Sequence, residues 1–271
     1  MAKGKGKTIV VTGRGGSGKS TFTALTTRFL GELGWKRLLI VDSDPDESLS
    51  SMLGVDLKGQ GKVTISDVFY DIVKEKKMIK SSKTGPTYNL ESMLFEEALY
   101  QSKDFDFIAL GPKWFEGCYC APDLFLGEIM SRWSDNYEYV IVDSPAGVEH
   151  LNRRITKNVK DFFNILDPSK KSFDNAKRTH RLIEEVSINY ENYYLVGGFR
   201  FPEELKIKAE QQTFKYLGKV EYDEEVIEKN FQGNSLLEVP ETSRAYDSVK
   251  DILRKAGYDK KALSLSDLLN V

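Results

Sequence analysis

Short runs that are almost wholly apolar recur along the chain. Between them lie longer stretches in which apolar residues return every three or four positions. The runs are TIVVT (8–12), RLLIVD (37–42), FIALG (107–111), YVIVD (139–143), FFNIL (162–166) and YYLVGG (193–198). Continuous rather than alternating apolarity predicts strands buried on both faces, as in a parallel sheet. After the first run, STFTALTTRFLGELG (20–34) carries Phe22, Leu25, Phe29, Leu30 and Leu33 at helical spacing, and Gly34 reads as its stop. Strand and helix in alternation predict an α/β fold: a doubly wound, mainly parallel sheet of about seven strands with helices on both faces. Residues 58–104 are less regular, and KEKKMIKSSKTGPT (74–87) reads as a surface loop rather than a linker. One domain over 1–258 is therefore expected. The tail 259–271 carries Ala262, Leu265, Leu268 and Leu269 and reads as a short amphipathic helix that packs or frays, not as a stable membrane anchor.

Composition narrows the class. With 271 residues and 40% hydrophobic positions, the chain can bury a sizeable core. A net charge of −2 argues against tight non-specific binding to nucleic acid, and no such partner is expected. Two cysteines make no disulfide scaffold and suit a reducing compartment. The lysines of MAKGKGKTIVV precede only a short apolar run, and no stretch approaches the roughly 18 apolar residues of a membrane span. The expected location is the cytoplasm.

The first strand leads straight into GRGGSGKST (13–21), which fits G-x-x-x-x-G-K-[ST] with Gly13, Gly18, Lys19 and Ser20. A strand before and a helix after are the context this phosphate loop requires. Glycines let the backbone curl until its N–H groups point at phosphate oxygens, and the helix N-terminus adds positive potential. Lys19 is placed to reach the β- and γ-phosphates, and Ser20 to offer its hydroxyl to Mg²⁺. Two further strands end in carboxylates: Asp42, with Asp44 and Asp46 just beyond, and Asp143. One such aspartate is ordinarily a surface charge or a helix cap. Two, in a sheet that also carries a phosphate loop, point to metal–phosphate chemistry.

GRGGSGKST, VDSDPD and VDSPAGVEHL together resemble the MinD/ParA/NifH class of dimeric P-loop ATPases. That class opens with a deviant loop, K-G-G-x-G-K-[ST], whose extra lysine reaches the nucleotide across the dimer. Here the position is Arg14, which keeps the charge and adds a planar fork of donors, so it could act in trans as an arginine finger. The resemblance implies a homodimer that uses ATP/ADP and Mg²⁺. It assigns the nucleotide cradle to Gly13, Arg14, Gly15, Gly16, Ser17, Gly18, Lys19, Ser20 and Thr21. Lys19 and Arg14 carry catalytic charge, Asp44 positions or activates the attacking water, and Ser20, Asp42 and Asp143 surround the magnesium, the carboxylates through water. Relatives usually carry Asn or Asp after the sixth strand to read adenine; this chain has Gly197 and Gly198. Adenine is then expected to meet backbone groups elsewhere, near residues 222–226, and ATP over GTP rests on the resemblance.

Both cysteines lie in GPKWFEGCYCAPDLFLGEIM, as Cys118 and Cys120. This stretch resembles the Cys-x-Cys segment of the CooC-type ATPases, which handle nickel in maturation of carbon monoxide dehydrogenase. DSPAGVEHL, DPSKKSFDNAKR and EYDEEVIEKNFQGNSLLEVPETS resemble further segments of that family. Thiolates suit Ni²⁺ or Zn²⁺, and two at i and i+2 can chelate one ion if the chain turns between them. They supply half of a four-coordinate site, which a symmetric dimer completes with a second copy. A pair of small buried residues is the plainer alternative. The NifH iron protein also bridges a dimer with cysteines, but at distant positions, which disfavours an iron–sulfur role here. The expectation is an ATP-dependent nickel-insertion accessory protein for carbon monoxide dehydrogenase or the related acetyl-CoA synthase. The rival is a MinD/ParA-like positioning ATPase on membrane or DNA. His150 and His180 read as a structural and a surface histidine, not as ligands.

Overall fold

The computed structural model describes residues 6–74, 91–112, 120–146 and 158–258. Eight strands form one sheet: β1 (Lys7–Gly13), β2 (Leu38–Asp42), β3 (Tyr100–Gln101), β4 (Asp106–Ala109), β5 (Tyr139–Asp143), β6 (Asn158–Leu166), β7 (Asn189–Gly197) and β8 (Lys215–Lys219). Their order is β3-β4-β2-β5-β1-β6-β7-β8. Every pairing is parallel except β3 with β4. Among the helices of the described residues are α1 (Lys19–Glu32), α2 (Ser48–Met52), α3 (Ile65–Lys74), α4 (Cys120–Trp133), α5 (Lys170–Glu185), α6 (Lys206–Glu210), α7 (Glu224–Gln232) and α8 (Arg244–Lys255).

The continuous apolar runs are explained by two cores, one on each face of the sheet. Ile9, Val11, Tyr139, Ile141, Phe163 and Ile165 join the core beneath α1 and α8. Their alternates Val10, Val140, Val142, Phe162 and Leu166 join the core beneath α3, α4 and α5. Each wholly buried aliphatic side chain contributes roughly 1.5–3 kcal/mol, so neither face tolerates a polar stripe. α1 meets α8 through Arg28, whose guanidinium stacks 4.0 Å from the Tyr246 ring centre, donates to the Val239 carbonyl and pairs with Glu32 and Glu241.

Three local expectations change. The described parts of 58–104, residues 58–74 and 91–104, are more regular than the sequence pattern implies, because Ile65 and Val68 of α3 and Leu94 and Ala98 of a π-helical turn (Leu94–Ala98) pack into the second core. Most of 74–87, and the tail 259–271, lie outside the described residues. His180 is not a surface residue: its ring sits among Tyr190, Tyr193 and Phe214, with Nε2 2.7 Å from the Tyr190 hydroxyl. His150 lies outside the described residues.

Candidate nucleotide site

β1 ends at Gly13 in the middle of the sheet, and α1 begins six residues later at Lys19. The strand order reverses beside β1, and the carboxyl ends of parallel strands at such a reversal form a crevice. The loop between is tight. Gly18 caps α1 at φ 98°, a left-handed conformation that a side chain would strain. Lys19 is buried at 6% exposure and folds back over the loop, its Nζ 3.4 Å from the Arg14 carbonyl oxygen. The first N–H groups of any helix lack partners within it, and in α1 they follow directly on the loop that the Lys19 ammonium folds over.

The two strand-end carboxylates stand next to this loop. Asp42 of β2 and Asp143 of β5 are register partners, both with 0% exposure. Asp42 accepts hydrogen bonds from the backbone N–H groups of Asp44 (3.0 Å) and Leu49 (3.1 Å), which fold the following segment over it. Asp143 has no such support: neither carboxylate oxygen has a hydrogen-bond partner. The nearby hydroxyls are already engaged. Thr23 donates to the Lys19 carbonyl at 3.0 Å, and Ser20 lies 3.1 Å from the Ser48 hydroxyl of α2. Burial pushes the Asp143 carboxyl up to about 7, with Lys19 and Ser20 partly opposing it. Burial first, and then the Asp143 charge, raises Asp42 well above the usual carboxylate range. A buried carboxylate beside a phosphate loop and the Ser20 hydroxyl is a donor set suited to a hard divalent cation. Asp44 and Asp46 follow on the same turn, Asp46 N–H donating to Asp44 Oδ1 at 3.2 Å. Glu47 then takes φ 50° to start α2.

Arg14, the residue that departs from the deviant loop, turns onto its own subunit. Its Nη1 donates to Asp167 Oδ2 and to Ser169 Oγ, each at 2.9 Å. Asp167 follows β6, and Ser169 caps α5 by accepting from the Ser172 N–H. Asp167 escaped the sequence reading, although its signal was the same one that singled out Asp42 and Asp143: an acid ending a buried strand. Ser48 carried no such signal.

Beside Thr21 a cavity of about 550 Å³ opens between the segments that follow β7 and β8. Phe199, Arg200, Val226 and Phe231 are among its lining residues. The expected base-contacting stretch 222–226 contributes Asp223 and Val226. Of the two cysteines, Cys120 opens α4 and Cys118 lies outside the described residues. Among the described residues, no group of three or more His, Cys, Asp or Glu side chains is gathered for a metal. None of the described helices is long and apolar enough to cross a membrane.

Comparison with known proteins agrees with this geometry. The AAA domain family model, AAA_31, matches residues 6–189. The chain belongs to this family of P-loop ATPases. Family membership is reinforced by an ATP-binding protein of Methanocaldococcus jannaschii, 33% identical over 252 residues, or 91% of this chain and 97% of that one. The carbon monoxide dehydrogenase accessory protein CooC of Rhodospirillum rubrum is 25% identical over 186 residues, covering 66% of this chain and 74% of its own. Among solved structures, the septum site-determining protein MinD of Pyrococcus horikoshii, complexed with Mg-ADP, superposes with a TM-score of 0.66 at 20% identity, over 92% of this chain and 95% of that chain. A ParA family ATPase of Chlorobium tepidum gives the same TM-score and identity, with 92% and 98% covered. These two likenesses establish the doubly wound P-loop fold.

Proposed function

We propose that this family member is a dimeric, Mg²⁺-dependent ATPase that handles nickel, or zinc, for carbon monoxide dehydrogenase or the related acetyl-CoA synthase. One observation carries the link between the two chemistries. β4 pairs in parallel with β2, Ala109 opposite Asp42, and the Leu110 N–H donates to the Asp42 carbonyl at 2.8 Å. The chain leaves β4 at the same sheet edge as the phosphate loop and reaches Cys118 and then Cys120 at the start of α4. The segment that carries the two thiols thus follows, in sequence, a strand end bonded to the backbone of Asp42, the residue whose carboxylate would sense the nucleotide. The likeness to CooC supports the same reading.

In this reading the loop 13–21 binds the phosphates through backbone N–H groups, and Lys19 pairs with the β- and γ-oxygens. Ser20 would hold Mg²⁺, with Asp42 and Asp143 assisting through water, and the ion would supply charge neutralisation at the phosphates. Asp44 orients a water and accepts its proton as the water oxygen bonds to the γ-phosphorus. The bond from phosphorus to the β–γ bridging oxygen breaks, leaving ADP and phosphate. Arg14 of one copy adds charge at the nucleotide of the other. To do so it gives up its part-buried bonds to Asp167 and Ser169, an ion pair that solvent screening at the half-exposed guanidinium keeps to roughly 1 kcal/mol. Loss of the γ-phosphate releases the 42–48 turn, and the shift passes along β4 to the thiolates.

Anaerobic nickel binding combined with solution mass tests this reading. One nickel per two chains and a metal-dependent dimer are expected, both lost when Cys118→Ser and Cys120→Ser are combined. Unchanged binding in that variant, or none in the wild type, would overturn it. ATP-dependent sedimentation with liposomes or DNA would then favour a positioning ATPase.

A further inference from the structure

α5 buries one face and exposes the other. Ser172, Phe173, Ala176, Thr179 and Ile183 are turned inward, and the Tyr193 hydroxyl donates to the Ala176 carbonyl at 2.9 Å. Over its first three turns the outward residues are Lys170, Lys171, Asp174, Lys177, Arg178 and Arg181. At roughly 100° per residue they fall within an arc of about 120°, along about 16 Å of helix. Five cations against one carboxylate leave an excess of four positive charges on this face, in a chain whose total is −2. The rest of the chain therefore carries −6.

The chain does not answer these charges. Among the described residues none of the five cations is held in an ion pair. α8 shows the contrast: Lys250 lies 3.3 Å from Asp247, and Arg254 3.3 Å from Asp251. The placement on α5 also works against the helix itself. Lys170 and Lys171 stand in the first turn, which holds no acid, and the positive end of the helix dipole disfavours cations there. Lys177 and Arg181 are like charges at i and i+4, which repel. The stripe costs the helix stability, yet the core beneath holds it in one orientation. A counter-charge outside the chain accounts for both.

We propose that the outward face of α5 is a docking surface for the acidic face of a protein partner. Three features select this occupant. Exposed cations spread over about 16 Å do not converge on one small anion. A nucleic-acid duplex binds through many phosphate contacts, and it would run past the stripe onto a surface that carries −6. An acidic helix or strand of matching length meets the stripe alone and gains from its complementary charge. The stripe begins beside Ser169, whose hydroxyl accepts from Arg14 of the phosphate loop at 2.9 Å. A docked partner therefore lies next to the nucleotide site. This surface goes beyond the function proposed above and requires neither the thiol pair nor nickel.

Fluorescence anisotropy on the full chain tests the proposal. The probe is a labelled helical peptide of about 16 residues with glutamates spaced to face the stripe; its controls carry glutamine or lysine in their place. The wild type is expected to bind the glutamate peptide at least about tenfold more tightly than the glutamine peptide, the sum of several exposed pairs at a few-fold each. That preference should shrink as salt rises from about 50 to 200 mM. Combining Lys177→Glu, Arg178→Glu and Arg181→Glu should abolish it and favour the lysine peptide instead, which also shows that the variant is folded. Glutamate and glutamine peptides bound alike by the wild type, or a preference unchanged in the variant, would overturn the proposal. So would tighter binding of a duplex DNA of about 20 base pairs than of the glutamate peptide, which would make the face a nucleic-acid surface. A salt-sensitive wild-type dimer without nucleotide, absent in the variant, would assign the stripe to a second copy and overturn it as well.

Discussion

Replacing Asp143 with Asn should stabilise the nucleotide-free protein at high pH while abolishing its chemistry. Asp143 is buried with neither oxygen in a hydrogen bond of good geometry, and burial pushes its carboxyl from an ordinary 3.8 up to about 7. The protonated form is therefore the one the fold prefers. Below pH of about 4 both folded and unfolded chains hold the proton, and the group contributes no difference. Between about 4 and 7 the folded chain keeps a proton that the unfolded chain has lost, so stability falls as pH rises. Above 7 the full penalty applies. At roughly 1.4 kcal/mol per pH unit it amounts to about 4 kcal/mol. Asn is nearly isosteric and cannot ionise, but it brings an amide whose unsatisfied burial costs about 1–3 kcal/mol. The net expectation for Asp143→Asn is a gain of about 1–3 kcal/mol at pH 8 that shrinks towards zero at pH 5. Removing this charge also relieves Asp42, which acts in the same direction. Urea unfolding with a chelator present, from pH 5 to 8.5, reads both profiles. A wild-type midpoint that does not fall with pH, or a variant less stable than wild type at pH 8, would refute the argument that Asp143 is held for an absent cation at an energetic cost.

Two other substitutions separate chemistry from scaffold. Asp44→Asn should slow phosphate release at least about 100-fold, the scale of a lost general base, with ATP affinity within a few-fold; single-turnover phosphate detection against equilibrium titration checks this. Asp161 is a second buried carboxylate, far along β6 from the phosphate loop, and it differs from Asp143 in being fully served. It pairs with Lys160 at 2.6 Å and accepts from Asn192 at 2.7 Å and from the Tyr258 hydroxyl. Asp161→Ala strands the ammonium and the phenol and should cost about 3–5 kcal/mol in urea unfolding, with ATP affinity unchanged below the transition.

The strands whose two faces feed two cores were legible because apolarity alone dictates them. Those that were missed have a different logic. β8 is an edge strand with lysines at both ends, Lys215 and Lys219, and lysine is what guards a free edge against pairing with another chain. β3 has only two residues and forms because Tyr100 and Gln101 turn back against β4. β6 begins four residues before its apolar run because Asp161 is buried by partners distant in sequence, Tyr258 among them, which no local pattern reveals. The phosphate loop and the strand-end acids were legible because their chemistry is written in consecutive residues. The capture of Arg14 by Asp167 was not, since it spans 153 positions. The need for glycine at 198 was hidden for a similar reason: a Cβ there would collide with the Ser17 carbonyl oxygen, a contact visible only in three dimensions.

The central claim is that the nucleotide state at the strand ends and the state of the Cys118–Cys120 pair are coupled. The most direct test is the nickel affinity of the wild-type protein, measured anaerobically with no nucleotide, with Mg-ADP and with a non-hydrolysable ATP analogue. Coupling predicts affinities that differ between the ADP and analogue states by about tenfold, in the range typical of linked sites, together with a reciprocal effect of nickel on nucleotide affinity. The same nickel affinity in all three states would contradict it.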